Sequence, residues 1–272
     1  MSVTGDGRAS VPPGTLQLPP SAVLLHGLFG DGDNLKGLAA RLGDERATLR
    51  PHLPAHGDVP ATSPLSFDAM ADDLAARIHA QLAPDRAMHL IGHSLGGKVA
   101  MTLAARDDAF ARRVRSLCVL DIGPKRYPPH HTGIIEALLA LDTQGLASRR
   151  EADTVLRQAI PEAGVRAFLL KALVRHDDGW RWRFDLDAIA RDYATHLADA
   201  VPVSWPVVLP TLLLGGQRSD YLDSANRKAA ADLFPQARID TIADAGHWLH
   251  AEQPDAVAAA VLDHLRTVDA AA

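Results

Sequence analysis

The sequence has little of several features that mark whole classes of protein. Of its 272 residues only Cys118 is a cysteine, which excludes an internal disulfide framework and a Cys-x-x-Cys metal or redox site. No stretch approaches the roughly 20 apolar residues that span a bilayer, and residues 1–20 lack the apolar centre of a secretory signal. We therefore expect a cytoplasmic protein without a membrane partner, in which residues 1–20 form a flexible tail.

Basic charge is also scarce. Only five residues are lysine, and 28 Lys and Arg residues against 33 Asp and Glu residues leave a net charge of −5. Such a chain has no electrostatic reason to bind nucleic acid. No His-Glu-x-x-His pattern occurs either, so we expect neither a metal nor a cofactor. With 47% apolar and 22% charged residues the composition is that of an ordinary globular protein, and it leaves the oligomeric state open.

Short apolar runs alternate with longer helical patterns along the chain, which indicates an α/β protein with a mostly parallel central sheet flanked by helices. Predicted strands cover residues 22–26, 46–50, 88–91, 114–122, 207–214 and 237–242, and predicted helices cover residues 66–82, 96–106, 225–233 and 254–265. Between Ile122 and Val207 the alternation gives way to four helical stretches, at 133–141, 151–160, 164–175 and 186–198. We therefore predict a core of residues 21–122 and 207–272, with a helical cap at 123–206.

The most informative motif is Gly-His-Ser-Leu-Gly at residues 92–96, between a predicted strand and a predicted helix. This is the setting of a nucleophile elbow, a tight turn that presents a serine at the carboxyl edge of the sheet. The motif predicts Ser94 as a nucleophile. Residues 92–98 also match the Gly-x-x-x-x-Gly-Lys spacing of a phosphate-binding loop, but Val99 stands where a magnesium-binding hydroxyl belongs, which disfavours that alternative.

A serine nucleophile needs a base and an acid, which in this class of fold follow in the order Ser, acid, His. His247 comes just after Gly246 and the last predicted strand, so it is the predicted base. Asp121 and Asp220 both follow core strands between Ser94 and His247, and the residues by themselves do not decide between them. The oxyanion is expected to bind two backbone N–H groups, those of Leu95 and of Leu28 in the loop after the first core strand.

Several motifs together resemble a narrower group, the YbfF/ABHD11-type esterases of the α/β-hydrolase superfamily. The resemblance rests on segments spread over residues 22–265: His-Gly-Leu-Phe-Gly at 26–30 with Asp-Asn-Leu at 33–35, Gly-His-Ser-Leu-Gly-Gly-Lys at 92–98, Leu-Asp-Ile at 120–122, Phe-Leu-Leu-Lys at 168–171, Trp-Arg-Phe at 182–184, Phe-Pro-Gln-Ala-Arg at 234–238 and Ala-Gly-His-Trp-Leu-His-Ala-Glu at 245–252. It implies an α/β-hydrolase fold, and it favours Asp121 as the acid, with Ser219 assisting. Residues 50–57 and Asp220 depart from the pattern, which keeps Asp220 as the alternative.

The predicted activity is hydrolysis of carboxylic esters with small to medium acyl chains through a Ser-His-Asp triad and an acyl-enzyme. The partner is then a small-molecule ester or thioester. An acyl thioesterase or perhydrolase with the same triad is the alternative within the enzymes. A ligand receptor on a hydrolase fold is the alternative outside them.

Overall fold

A computed structural model describes residues 19–177 and 179–272. The predicted tail at residues 1–20 lies outside this range except for Pro19 and Pro20, so it stays a prediction. Among the residues described, no helix is both long and apolar enough to cross a membrane.

The centre of the protein is a parallel sheet of six strands in the order β2-β1-β3-β4-β7-β8. The strands among the described residues are β1 (Ser21–Leu25), β2 (Thr48–Leu49), β3 (Met88–His93), β4 (Val114–Leu120), β5 (Leu173–His176), β6 (Gly179–Trp182), β7 (Thr211–Gly216) and β8 (Ala237–Ile242). Every residue of β1, β3 and β7 is buried. Continuous apolar runs form such strands because a parallel sheet is covered on both faces.

Helices cover the two faces of the sheet. They are α1 (Lys36–Gly43), α2 (Phe67–Gln81), α3 (Leu95–Ala104), α4 (Thr132–Leu139), α5 (Arg149–Leu156), α6 (Ala163–Lys171), α7 (Leu186–Asp192), α8 (Ser224–Leu233), α9 (Leu249–Glu252) and α10 (Pro254–Ala270). Alternate side chains of β1 enter separate cores: Val23 shares one core with Met70 of α2, and Leu24 shares the other with Val261 of α10. The period-two alternation of a strand thus feeds both layers of helices.

The predicted α/β fold with a mostly parallel central sheet is confirmed, and the differences lie at the ends of elements. The strand predicted to end at Ile122 ends at Leu120, because Asp121 has a positive φ of 53° that breaks the extended conformation. The strand predicted from Val207 begins at Thr211, after Pro210. Proline has no N–H to give to a strand ladder, so it delays the start of the strand.

The segment between β4 and β7 holds α4, α5, α6, the hairpin β5–β6 and α7. The predicted helix at 164–175 is wrong at its end: α6 stops at Lys171, and Leu173–His176 pairs antiparallel with Gly179–Trp182. Residues 173–176 form a strand rather than the end of a helix because they pair with residues 179–182, which lie beyond the predicted helix. The predicted helix at 186–198 begins as α7 and closes with one wider π turn at Tyr193–Leu197. The division into a core and a cap with the predicted boundaries stays a prediction.

Candidate active site

Ser94 lies on a strained turn between β3 and α3. Its backbone has φ 53° and ψ −121°, a conformation that residues with a side chain rarely adopt. The neighbouring glycines make the turn sterically feasible, since a Cβ on Gly92 would stand 2.3 Å from the carbonyl oxygen of Gly96. A Cβ on Gly96 would stand 2.3 Å from the carbonyl oxygen of Leu25. The turn leaves Ser94 half-buried at the carboxyl edge of the sheet, ahead of the first turn of α3.

His247 brings its imidazole to this serine from the loop after β8. Its Nε2 is 3.1 Å from Ser94 Oγ, within hydrogen-bonding distance. The backbone of the same residue is held by His93, whose ring N–H donates to the His247 carbonyl oxygen over 2.8 Å. Burial is the main cause of a pKa of His93 well below its usual range, so that the ring is neutral and keeps one fixed donor. The residue beside the serine therefore holds the loop that carries the imidazole.

Asp121 completes a line of hydrogen bonds behind His247. Its Oδ2 is 2.7 Å from His247 Nδ1, and its carboxylate is fully buried. The other oxygen, Oδ1, accepts the backbone N–H of Gly216 over 2.9 Å, and the Ser219 hydroxyl donates to Oδ2. Because a carboxylate accepts hydrogen bonds, the proton between the two residues lies on Nδ1, and Nε2 presents its lone pair to Ser94.

Asp220, the alternative acid, does not lie in this line. It is exposed, and within residues 19–177 and 179–272 no hydrogen bond joins its carboxylate to His247. Its neighbour Ser219 is the residue that reaches Asp121. The structure therefore brings Ser94, His247 and Asp121 together with Ser219, while the roles of these residues stay predictions.

Two backbone N–H groups beside Ser94 have no acceptor among the residues described, those of Leu28 and Leu95. Leu95 is the first residue of α3, where the N–H groups of a helix lack an intrahelical acceptor. Leu28 lies in the loop after β1, and both residues line one small cavity, of about 40 Å³, with Ser94. This is the arrangement expected of two donors for an oxyanion.

Two buried histidines cross-link the loop of Leu28 to residues 53–57, and the sequence motifs did not single out the second of them. His26 Nε2 accepts the N–H of Leu53 over 3.0 Å, and His56 Nε2 accepts the N–H of Phe29 over 3.2 Å. Each ring donates from Nδ1 to a backbone carbonyl oxygen, so each is a neutral imidazole of one fixed tautomer. Burial lowers the pKa of His56 to about 4. The sequence signal for His56 is its place in residues 50–57, the segment that departs from the family pattern.

Lys98 does not serve a phosphate-binding loop. Its side chain is buried, and its ammonium group donates to the backbone carbonyl oxygens of Lys125 and Asp199 while lying 4.8 Å from the ring centre of Tyr127. Burial lowers the pKa of Lys98 to about 7. The lysine therefore ties α3 to the segment between β4 and β7 rather than projecting into an anion site.

The residues described contain no group of three or more His, Cys, Asp or Glu side chains that would suit a metal ion. Cys118 lies fully buried within β4, and burial raises the pKa of its thiol to about 12. The cysteine is therefore a small apolar core residue.

A model of the alpha/beta hydrolase family matches residues 22–260. The chain belongs to the alpha/beta hydrolase family. It is 37% identical over 246 residues to the Esterase YbfF of Escherichia coli (strain K12), with 89% of this chain and 92% of that protein covered. It is 35% identical over 244 residues to the sn-1-specific diacylglycerol lipase ABHD11 of Mus musculus, with 86% of this chain and 77% of that protein covered.

A solved structure described as a marine microorganism esterase gives the same result in three dimensions. Its TM-score is 0.84 and its sequence identity 34%, with 91% of this chain and 96% of that chain covered. The predicted α/β-hydrolase fold and the predicted resemblance to YbfF/ABHD11-type esterases are thus both confirmed.

Proposed function

We propose that this chain hydrolyses carboxylic esters of small to medium acyl chains, with Ser94 as nucleophile, His247 as general base and Asp121 as the acid that orients the imidazole. One observation carries the proposal: a continuous hydrogen-bond line runs from Asp121 through His247 to Ser94, and beside Ser94 lie the Leu28 and Leu95 N–H groups, which have no acceptor among the residues described. The similarity to relatives named esterase and lipase supports a serine ester hydrolase. A cytoplasmic location stays a prediction.

The geometry supports a two-step acyl transfer. His247 Nε2 takes the Ser94 proton as Oγ attacks the ester carbonyl, and the Leu28 and Leu95 N–H groups bind the negative oxygen. The imidazolium then protonates the leaving alcohol, and water attacks the acyl-enzyme by the same steps. Loss of one oxyanion donor in such a site costs about 2.7–4 kcal/mol, or 10²–10³ in rate.

Asp121 is well suited to its proposed part. A buried carboxylate that accepts from Gly216, Ser219 and His247 stays in place and stabilises the imidazolium of each step. The Ser219 hydroxyl donates to the same oxygen as the imidazole, so it assists by orienting the carboxylate without taking a proton.

The cavity supports a small acyl group. Its roughly 40 Å³ is far below the 300–1,000 Å³ of sites that enclose drug-sized ligands. Leu28, Ile122 and Leu197 supply an apolar wall near Ser94. Thioesters react through the same triad, so a panel of paired esters and thioesters of two to eight acyl carbons separates the two substrate classes.

The experiment that tests the proposal compares Ser94→Ala with Ser116→Ala. The hydroxyl of each serine lies within hydrogen-bonding distance of a histidine nitrogen. Ser116 is fully buried, so a substrate does not reach it, and Ser116→Ala therefore serves as the matched control. We expect Ser94→Ala to lower kcat on a short-chain aryl ester on the order of 10⁴-fold to 10⁶-fold. A fluorophosphonate should label the unaltered protein at Ser94, read by mass spectrometry.

The control should keep kcat per labelled site within about twofold. Full activity in Ser94→Ala, or a label on another serine, would overturn the proposal. An intact protein that takes no label and hydrolyses no ester would favour a ligand receptor.

A further inference from the structure

The ring of Tyr221 lies flat on the imidazole of His247. The two ring centres are 4.1 Å apart and the planes are inclined by 23°. The backbone of this tyrosine is held in the same network as Asp121, since its N–H donates to Ser219 Oγ over 3.3 Å. Its carbonyl oxygen accepts the Tyr127 hydroxyl. Tyr221 is thus fixed at both its backbone and its ring.

The hydroxyl of Tyr221 belongs to a chain of hydrogen bonds with two histidines of the segment between β4 and β7. His130 Nδ1 donates to the Pro128 carbonyl oxygen over 2.8 Å, so in the neutral imidazole Nε2 accepts, and the Tyr221 hydroxyl 2.6 Å away donates to it. The oxygen of Tyr221 in turn lies 3.4 Å from His131 Nε2, and the Tyr193 hydroxyl lies 2.8 Å from His131 Nδ1. Each group in this chain of hydrogen bonds then donates to the next, from the Tyr193 hydroxyl through His131 and Tyr221 to His130.

Two members of this chain, His131 and Tyr221, are neutral near pH 7. Burial lowers the pKa of His131 to about 3 and raises the pKa of Tyr221 above its ordinary value. A chain of hydrogen bonds with one consistent direction never sets two donors or two acceptors against each other. It holds the Tyr221 ring in one orientation against His247.

We propose that Tyr221 is a positioning residue for His247: its ring fixes the plane of the imidazole and stabilises the imidazolium that forms in each step. His130 and His131 hold that ring in place. The inference rests on the proposed function, because it assigns a role to Tyr221 only if His247 is the base.

The physical basis is the negative face of an aromatic ring, which attracts a cation placed over it. The other titratable groups that face His247 are Asp121 at Nδ1, Ser94 at Nε2, His93 at 4.8 Å between ring centres and, farther out, His131 and His250. Asp121 also favours the imidazolium, whereas the neutral histidines do not. Removal of the ring should therefore make protonation of the base harder without abolishing it.

The test measures kcat and KM against pH for Tyr221→Leu and Tyr221→Phe on a short-chain aryl ester, normalised by fluorophosphonate titration of active sites. For Tyr221→Leu we expect the acid limb of kcat/KM to move by about 0.4 to 1.5 pH units to lower pH, since the cation loses its aromatic partner. We expect kcat to fall on the order of 10-fold to 100-fold because the His247 imidazole is no longer held in place, and we expect KM to change less than kcat. Tyr221→Phe keeps the ring and should leave the acid limb within about 0.2 pH units.

If Tyr221→Leu does not fold, two substitutions at position 221 that disturb the packing less make the same test, Tyr221→Phe and pentafluorophenylalanine. Pentafluorophenylalanine at position 221 keeps the shape of the ring but removes its negative face, so its acid limb should lie below that of Tyr221→Phe. Trp205→Leu is the matched control, an aromatic residue whose side chain is exposed and outside the site, and it should change neither constant.

An acid limb that stays in place in Tyr221→Leu or in the pentafluorophenylalanine variant, with KM raised, would overturn the inference and leave Tyr221 as a wall of the cavity. That result differs from failure of the proposed function, in which the unaltered protein neither hydrolyses the ester nor takes the label at Ser94.

Discussion

Two serine–histidine–aspartate groups lie at opposite ends of the same sheet. At the carboxyl ends of the strands, Ser94 faces His247 over 3.1 Å and His247 faces Asp121 over 2.7 Å. At the amino ends, in what we call the amino-edge group, Ser116 faces His89 over 2.8 Å and His89 faces Asp269 over 3.1 Å. In both groups the hydroxyl contacts one ring nitrogen and the carboxylate contacts the other. The serine lies at Nε2 of His247 but at Nδ1 of His89.

The groups differ in access and in what surrounds the serine. Ser116 and His89 are completely buried inside paired strands, and Asp269 also binds the side chain of Arg46 over 2.9 Å. Ser94 stands on a strained turn beside a cavity and two N–H groups that have no acceptor within residues 19–177 and 179–272. The same three residue types thus also lie in line around a fully buried serine, so access to the hydroxyl and donors for a developing charge distinguish the group that we propose as catalytic.

The largest expected difference between the groups is in turnover. Asp121→Asn removes the carboxylate that orients His247 and leaves the ring free to take the wrong tautomer, so kcat should fall about 10⁴-fold. Asp269→Asn alters the same type of residue at the far end of the sheet and should leave kcat within about twofold. Steady-state kinetics on one aryl ester, per labelled active site, make the comparison.

Asp220→Asn is the second control for this prediction. Its carboxyl group is exposed and apart from His247, so activity should persist. A loss confined to the Asp220 variant would show that Asp121 is the wrong acid, and a loss in the Asp269 variant would break the contrast between the two edges.

The next largest expected effect is on the free energy of unfolding, and here we expect substitution in the amino-edge group to have the larger effect. Asp269→Ala leaves the buried His89 N–H and the buried Arg46 side chain without their acceptor, which should lower the free energy of unfolding by about 1–3 kcal/mol. Urea denaturation followed by circular dichroism measures it. Asp263→Ala, on the same helix and paired only at the surface with Arg238, should cost less than about 1 kcal/mol. Equal losses in the two variants would deny the amino-edge group its structural role.

The smallest effect is a dependence of stability on pH. Burial lowers the pKa of His89 to about 4, so the folded state keeps the ring neutral while the unfolded chain takes up a proton below about pH 6.5. The stabilisation is therefore complete above about pH 6.5 and is lost as the pH falls toward 4, with a slope of up to about 1.4 kcal/mol per pH unit for one histidine.

His89→Gln removes one titrating group, because glutamine does not titrate. The slope of the unfolding free energy against pH should therefore fall by up to about 1.4 kcal/mol per pH unit. The free energy of unfolding, measured by urea titration at pH 7, 6 and 5, gives the slope for both proteins. Parallel slopes would mean that other buried histidines, among them His56 and His250, carry the acid sensitivity.

Prediction from the sequence succeeded where a local pattern carries the information. The alternation of apolar runs identified the sheet, and helix α2 lies within the predicted residues 66–82. It begins after Ser66, whose hydroxyl accepts the Ala69 N–H over 3.3 Å and so caps the helix. Prediction failed at the β5–β6 hairpin, because two four-residue strands are too short to show a clear alternation and depend on pairing with each other. His56 and Tyr221 were missed for a similar reason, since their contacts lie far along the chain.

Residues close together in the sequence were enough to predict the elbow at Ser94 and the loops that carry Leu28 and His247, since the steric demands of a tight turn restrict neighbouring residues. The resemblance of these motifs was enough to predict a hydrolase family. The resemblance favoured Asp121 over Asp220, but only the packing of the sheet brings the Asp121 carboxylate to His247, and only packing encloses the serine beside His89. Those outcomes depend on where strand ends and helices meet in space. The distances between residues such as Asp121 and His247, 126 positions apart, are set by the packing of the whole sheet.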